Sequence, residues 1–253
     1  VTVYTARFPL VGETLGASQI DTGIGGKASN QAIGMRRLGA TPWLIVKLGQ
    51  DDWAKKALAL WQEQNVNADY VTHHPSLATA IGVVTVIDGG ENWNISALNA
   101  AEHLSPADVE AATPIFQSAK VLSLHLNSPM ETNHAALKLA KQHGLLTVVN
   151  ASPYEPIPDD VFGLVDVLVV NRVEAFQYTG INIIDDDAAM QAAQVLQERG
   201  VSNVIISLGK DGLIVHSPNQ QHKLDSFPVS VVDTVGAGDA LIAGLTVALA
   251  EGQ

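Results

Sequence analysis

The chain has 253 residues, 47% hydrophobic and 16% charged, a mix that folds and is too apolar for a disordered protein. Cysteine is absent, which excludes disulfides, thiolate-bound zinc, iron–sulfur clusters and thiol catalysis. Fourteen Lys and Arg against 26 Asp and Glu give a net charge of −12, which argues against a nucleic-acid partner but permits one local anion site. No run reaches the roughly 18–20 apolar residues that span a membrane, and no leader is visible. The expectation is a cytoplasmic protein with no membrane partner.

In chain order, residues 3–22 read as short strands and turns without a helix, marked by Gly12 and Gly16. Residues 27–38 predict a helix that Gly39 ends. A strand at Trp43–Leu48 precedes a helix at 52–64, where Ala54, Ala57, Leu58 and Trp61 fall at helical spacing. Residues 78–97 again read as strands and turns, with Ile81–Ile87 the clearest strand. Ser105 with Pro106 predicts a helix start, continuing to 117. Strands at 121–126, 145–149, 165–170 and 204–208 alternate with helices at 129–143 and 185–199, and a last helix covers 239–251. These strands are short, rich in Val, Ile and Leu, and mostly not alternating, which suits a parallel sheet covered on both faces. The reading is an α/β fold with a mainly parallel sheet. The two helix-free regions at 3–22 and 78–97 could pair as a small sheet separate from the main one, a lid over a ligand site, or be a pair of edge hairpins.

Four segments carry the chemistry. Gly25-Gly26 precede a helix that opens with Lys27 and Asn30, three apart and hence on one face. A cation beside an amide suits a polyhydroxylated ligand, because Asn both donates and accepts. Gly23-x-Gly25-x-x-Ala28 also fits the loose dinucleotide fingerprint, but no acid stands at the end of the 43–48 strand, and Asp51 and Asp52 come late. Second, Asp233-Thr234-Val235-Gly236-Ala237-Gly238-Asp239 leads from a short β run at 229–232 into an apolar helix. Small residues at a helix start make a phosphate cradle from N–H groups and the helix dipole. A carboxylate there would repel a bound anion, yet it suits a hydroxyl that must lose its proton. Together they supply both halves of phosphoryl transfer, though an Asp-capped glycine turn reads equally well. Third, Asn171 and Glu174 stand at a strand's carboxyl end, where α/β proteins bind ligands, and could order water around Mg²⁺ or simply cap a helix. Fourth, Ser207-Leu208-Gly209-Lys210-Asp211-Gly212 lies between two β runs and could follow a nucleotide's phosphates or be a bare turn.

In this order and spacing the segments resemble the ribokinase-like (PfkB) family of carbohydrate and nucleoside kinases, most of all its ribokinase branch. Gly25 to Ala32 running on through Arg37-Leu38-Gly39-Ala40, and Asp233 to Asp239, are similar to the family's two signatures. Asn171-x-x-Glu174 resembles its magnesium-associated motif, and Phe8-Pro9-x-x-Gly12-Glu13 also fits.

The resemblance implies a single kinase domain over 1–253, with a Rossmann-like three-layer core and the lid strands inserted. It implies transfer of the ATP γ-phosphate to a primary hydroxyl of a ribose- or ketose-like sugar, and a homodimer through the lid. By position, Asp239 is the catalytic base and the backbone of Gly236, Ala237 and Gly238 the anion hole. Gly26, Lys27, Asn30 and Asn127 are sugar contacts. Asn171 and Glu174 organise Mg²⁺, Glu174 through water, while Ser207, Gly209 and Gly212 line the ATP site. Asp233 and Val235 match positions that bind potassium in family members activated by it. Asn127 stands where ribokinases carry an acid, which weakens ribose itself as the substrate. The family's sugar-gripping Asp falls just before Val1 and further nucleotide contacts after Gln253, so segments are expected beyond both ends. A nucleoside kinase of the same family, a dinucleotide-dependent oxidoreductase and a non-catalytic sugar-binding relative are the competing readings. The oxidoreductase leaves residues 236–239 unexplained, and a mere binder has no need of Asp239.

Overall fold

The computed structural model describes residues 1–88, 92–231 and 234–253. The chain divides into two compact units, one of Val1–His103 with Val231–Ala240, the other of Leu104–Ser230 with Leu241–Gln253.

The first unit contains β1 (Thr2–Thr5), β2 (Gln19–Asp21), α1 (Lys27–Arg37), β3 (Trp43–Leu48), α2 (Asp52–Glu63), β4 (Asn67–His73), β5 (Ile81–Ile87) and β6 (Asn92–Ala97). The helix-free regions pair as one small sheet in the order β2-β1-β5-β6, with β1 parallel to β5 and the other pairs antiparallel. Strands β3 and β4 pair in parallel with α2 as their crossover. Ala32 of α1, Leu44 and Leu48 of β3, and Ala54, Ala57 and Trp61 of α2 close a buried core. The helix spacing of these residues is what turns them to one side.

Asp51 caps α2 by accepting from Ala54 N at 2.9 Å, and it also takes Thr79 N at 2.7 Å and Thr79 Oγ1 at 2.8 Å. Loss of solvent acts to raise the Asp51 pKa, but the donors from Thr79 and Ala54 outweigh it and hold the carboxyl below its ordinary value. The cap therefore also ties down the entry to β5.

The second unit contains α3 (Pro106–Ala111), α4 (Thr113–Phe116), β7 (Val121–His125), α5 (Met130–Gln142), β8 (Leu146–Asn150), α6 (Asp159–Phe162) and β9 (Val167–Asn171). It continues with α7 (Arg172–Thr179), α8 (Asp186–Glu198), β10 (Asn203–Ser207), β11 (Leu213–Ser217) and β12 (Gln220–Leu224); α9 (Ala237–Ala250) runs through the boundary of the units. Six strands form one sheet in the order β12-β11-β10-β9-β8-β7. The four from β7 to β10 are parallel, and β11 and β12 add antiparallel strands at the edge.

Alternation along these strands explains their apolar runs. Val149, Leu168, Val170 and Ile206 face one core with Leu137 of α5, Ala175 of α7 and Leu196 of α8. Their neighbours Val148, Val167, Val169 and Ile205 face the other with Ile242 of α9. Both faces are covered, so both residue parities must be apolar.

Two expectations change. The helix anticipated over 106–117 is two helices, interrupted at Ala112, because Pro114 has no N–H to donate to Glu110 and its ring crowds that carbonyl. The β run anticipated at 229–232 is not formed at 229–231, and Val232 lies outside the described residues.

Candidate active site

In the first unit, α1 opens directly after Gly26, whose carbonyl accepts from Asn30 N at 2.9 Å. The next residues fan out around the helix, each with its own duty. Lys27 is half-buried as the first residue of α1. Ser29 is buried and accepts from Trp61 Nε1 at 2.8 Å, which fixes α1 against α2. Asn30 and Gln31 both reach Asp239: Asn30 Nδ2 donates to Oδ2 at 2.8 Å, and Gln31 Nε2 donates to Oδ1 at 3.0 Å. A carboxylate only accepts, so each amide must present its NH₂ end.

Asp239 sits in the first turn of α9 and is half-buried. Gly236 enters this helix with φ of 80°, a conformation that side chains resist. Ala237 N donates to Thr234 O at 3.2 Å, and Ala240 N to Gly236 O at 2.9 Å. Gly238 N falls in the first turn, where the helix itself offers no acceptor four residues back. Val235 is exposed. Asp233 lies outside the described residues.

In the second unit the remaining candidates stand at strand carboxyl ends. Asn171 closes β9 and Ser207 closes β10, and the two are direct register partners. Asn127 follows β7, with its N–H on His125 Nδ1 at 3.2 Å. Asn171 Oδ1 accepts from Glu174 N and Glu174 Oε2 accepts from Asn171 N, each at 2.9 Å, so the pair forms a capping box on α7. Glu174 is only 6% exposed. Gly209 opens a short 3₁₀ turn to Asp211. Gly212 follows with φ of 88°, and a Cβ there would run into the Leu224 carbonyl oxygen. Arg172 Nη2 meets Asp211 Oδ2 at 2.8 Å, and its Nη1 donates to Ile183 O at 3.0 Å, so the start of α7 is tied to the end of the turn.

Among the described residues no three or more His, Asp or Glu gather into a metal cage. Mg²⁺ keeps much of its water and binds through a few carboxylates plus substrate phosphates, which a strand end bearing Asn171, Glu174 and Ser207 fits by donor type. Residue typing singles out Lys27 and Asn30 as candidates and passes over Gln31 and Arg172, which the structure places on Asp239 and Asp211. For Gln31 the one signal was its place beside Asn30.

A parallel sheet bearing polar groups at its strand ends, and a carboxylate at a glycine-led helix start, are features of ligand-binding α/β enzymes that use acid–base chemistry. The chain belongs to the pfkB family of carbohydrate kinases, whose family model matches residues 2–253. It is 32% identical over 240 residues to a bifunctional ribokinase/ribose-5-phosphate isomerase A of Fructilactobacillus sanfranciscensis, covering 94% of this chain but 44% of that longer protein. It is 29% identical to a deoxyribokinase of Salmonella typhi, with 94% of this chain and 78% of that one covered. Among solved structures it superposes on Arabidopsis thaliana ribokinase complexed with ribose and ATP, with a TM-score of 0.87 and 29% identity over 100% of this chain and 83% of the other. Among the described residues no helix is long and apolar enough to cross a membrane.

Proposed function

We propose that the protein transfers the γ-phosphate of ATP to a primary hydroxyl of a small sugar, a pentose or ketose, with Asp239 as general base. The observation that carries this reading is the Asp239 carboxylate, held by two amides in the first turn of α9. Lys27 and Asn30, with Gly26, bind and orient the sugar hydroxyls from the first turn of α1. Asp239 takes the hydroxyl proton as the oxygen attacks phosphorus, and the N–H groups of Gly236, Ala237 and Gly238 stabilise the charge that develops. Asn171, Glu174, Ser207, Gly209 and Gly212 serve the nucleotide, and Asn127 the sugar. Mg²⁺ carried by ATP would be held through water near Glu174, supplying charge neutralisation on the phosphates. Asp233 and Val235 would bind a monovalent cation, potassium.

The small sheet closes over the sugar as a lid and excludes water, which limits ATP hydrolysis. It also pairs two copies into a homodimer. Ladder register supports this, because Ile20, Val3, Thr85 and Trp93 lie in one row, and Val83 opposite Ile95 falls on the same face. Ile20, Val83, Trp93 and Ile95 on that face are exposed and apolar.

A coupled ADP-release assay with MgATP, with and without KCl, tests the substrate class. Its panel is ribose, deoxyribose, fructose, 2-keto-3-deoxygluconate, tagatose 6-phosphate, adenosine and pseudouridine. One sugar well above the rest is the expected result. A nucleoside above every sugar would replace the sugar-kinase reading, and sugar binding without any turnover would replace the kinase reading.

A further inference from the structure

We infer that Gln31 is a positioning residue for the reaction: it holds Oδ1 of Asp239 so that Oδ2 alone takes the proton of the attacking hydroxyl. This rests on the reading of Asp239 as the base. The two amides on the carboxylate differ in surroundings. Asn30 is half-buried at the helix start and is free to share its amide with a bound hydroxyl. Gln31 is 3% exposed and one position further into the helix, with its NH₂ on Oδ1 at 3.0 Å. A buried amide that loses its acceptor is left with the full desolvation cost, so this bond persists whether or not sugar is bound.

The two oxygens of a carboxylate are equivalent and the terminal torsion of an aspartate is broad, so packing alone does not fix the plane of the group. Gln31 fixes that plane by holding one oxygen, Oδ1, which leaves the other, Oδ2, toward the attacking hydroxyl. α1 is in turn anchored by the buried Ser29–Trp61 bond, so the donor sits on a fixed support. In the transfer the hydroxyl O–H bond breaks and its proton passes to Oδ2. The new O–P bond forms as the bond from the γ-phosphorus to its bridging oxygen breaks, and ADP leaves.

The test compares wild type, Gln31→Met, Asp239→Asn and the double variant in the full-length protein. Met keeps the length and volume of Gln and removes the donor. Gln31→Met is expected to lower kcat by about 10- to 100-fold, as a misplaced reacting group does, with KM for sugar and ATP within about twofold of wild type. In the Asp239→Asn background the same change is expected to have no further effect, because the two residues act as one unit. A merely structural role would lower the residual rate there as well, or raise KM. Wild-type kcat in Gln31→Met, beside an impaired Asp239→Asn, overturns the inference. Wild-type kcat in Asp239→Asn instead overturns the base assignment on which it rests. If Gln31→Met fails to fold, Gln31→Asn draws the amide back by one methylene and carries the same expected split.

Discussion

Ser29 and Trp61 are each 4% exposed, and the 2.8 Å bond between them leaves neither polar atom stranded. Ser29→Ala removes the acceptor and leaves an indole N–H buried without one, which costs about 1–3 kcal/mol. Urea unfolding should show that loss with an unchanged slope, and a variant as stable as wild type would contradict it. Glu13 behaves differently because it is a surface group. The fork of Arg7, with Nη1 at 2.7 Å from Oε2 and Nη2 on Oε1, and then the Leu10 N–H at 2.8 Å, hold its carboxyl at about 2 against an ordinary 4.5. A depressed pKa means that the folded state binds this proton less readily than the unfolded chain. The contribution of this turn is therefore intact above about 4.5 and is lost as pH falls toward about 2. A carboxyl titration by NMR should find the Glu13 midpoint near the lower value; a midpoint at the ordinary one contradicts the pairing. Residue types in sequence single out Asp239, Asn30 and Lys27 as candidates, because the chemistry expected of them is local to two short motifs. The Gln31–Asp239 and Arg172–Asp211 partnerships join residues 208 and 39 positions apart, and no local pattern carries them.

Elements were legible where burial imposes a pattern. The parallel strands β8 to β10 announce themselves because both faces are packed and both parities are apolar. Strand β12 has the sequence Gln-Gln-His-Lys-Leu and is exposed throughout, so only its ladder with β11 makes it a strand. The turn between β10 and β11 rests on Gly212, whose φ of 88° and contact with the Leu224 carbonyl exclude a side chain. Gly212→Ala should cost about 1–3 kcal/mol from backbone strain alone and raise KM for ATP more than KM for sugar. Equal stability and unchanged KM would show that the turn neither needs the glycine nor serves the nucleotide. On β6, Ile95→Lys places a charge on the exposed apolar face of the small sheet. Sedimentation should then show a monomer beside the dimer proposed for the wild type, and an unaltered dimer would remove this face from the interface.

Across the whole molecule, burial is uneven. Val148, Leu168, Val204 and Ile206 are fully buried in the six-stranded sheet, whereas β2 and β6 are exposed along their length. Amide hydrogen exchange should be slowest in β8, β9 and β10 and fastest in β2 and β6, since local opening follows burial. The proposed lid role requires a small sheet that opens cheaply. With a net charge of −12, the proposed binding of ATP must draw on local N–H groups and cations rather than on the surface as a whole. The central claim is that Asp239 removes a proton from a sugar hydroxyl, and the turnover number of Asp239→Asn at saturating sugar and MgATP tests it most directly. The account predicts a fall in kcat of about 10²–10⁴ with ATP affinity little changed. Turnover near the wild-type value would contradict it.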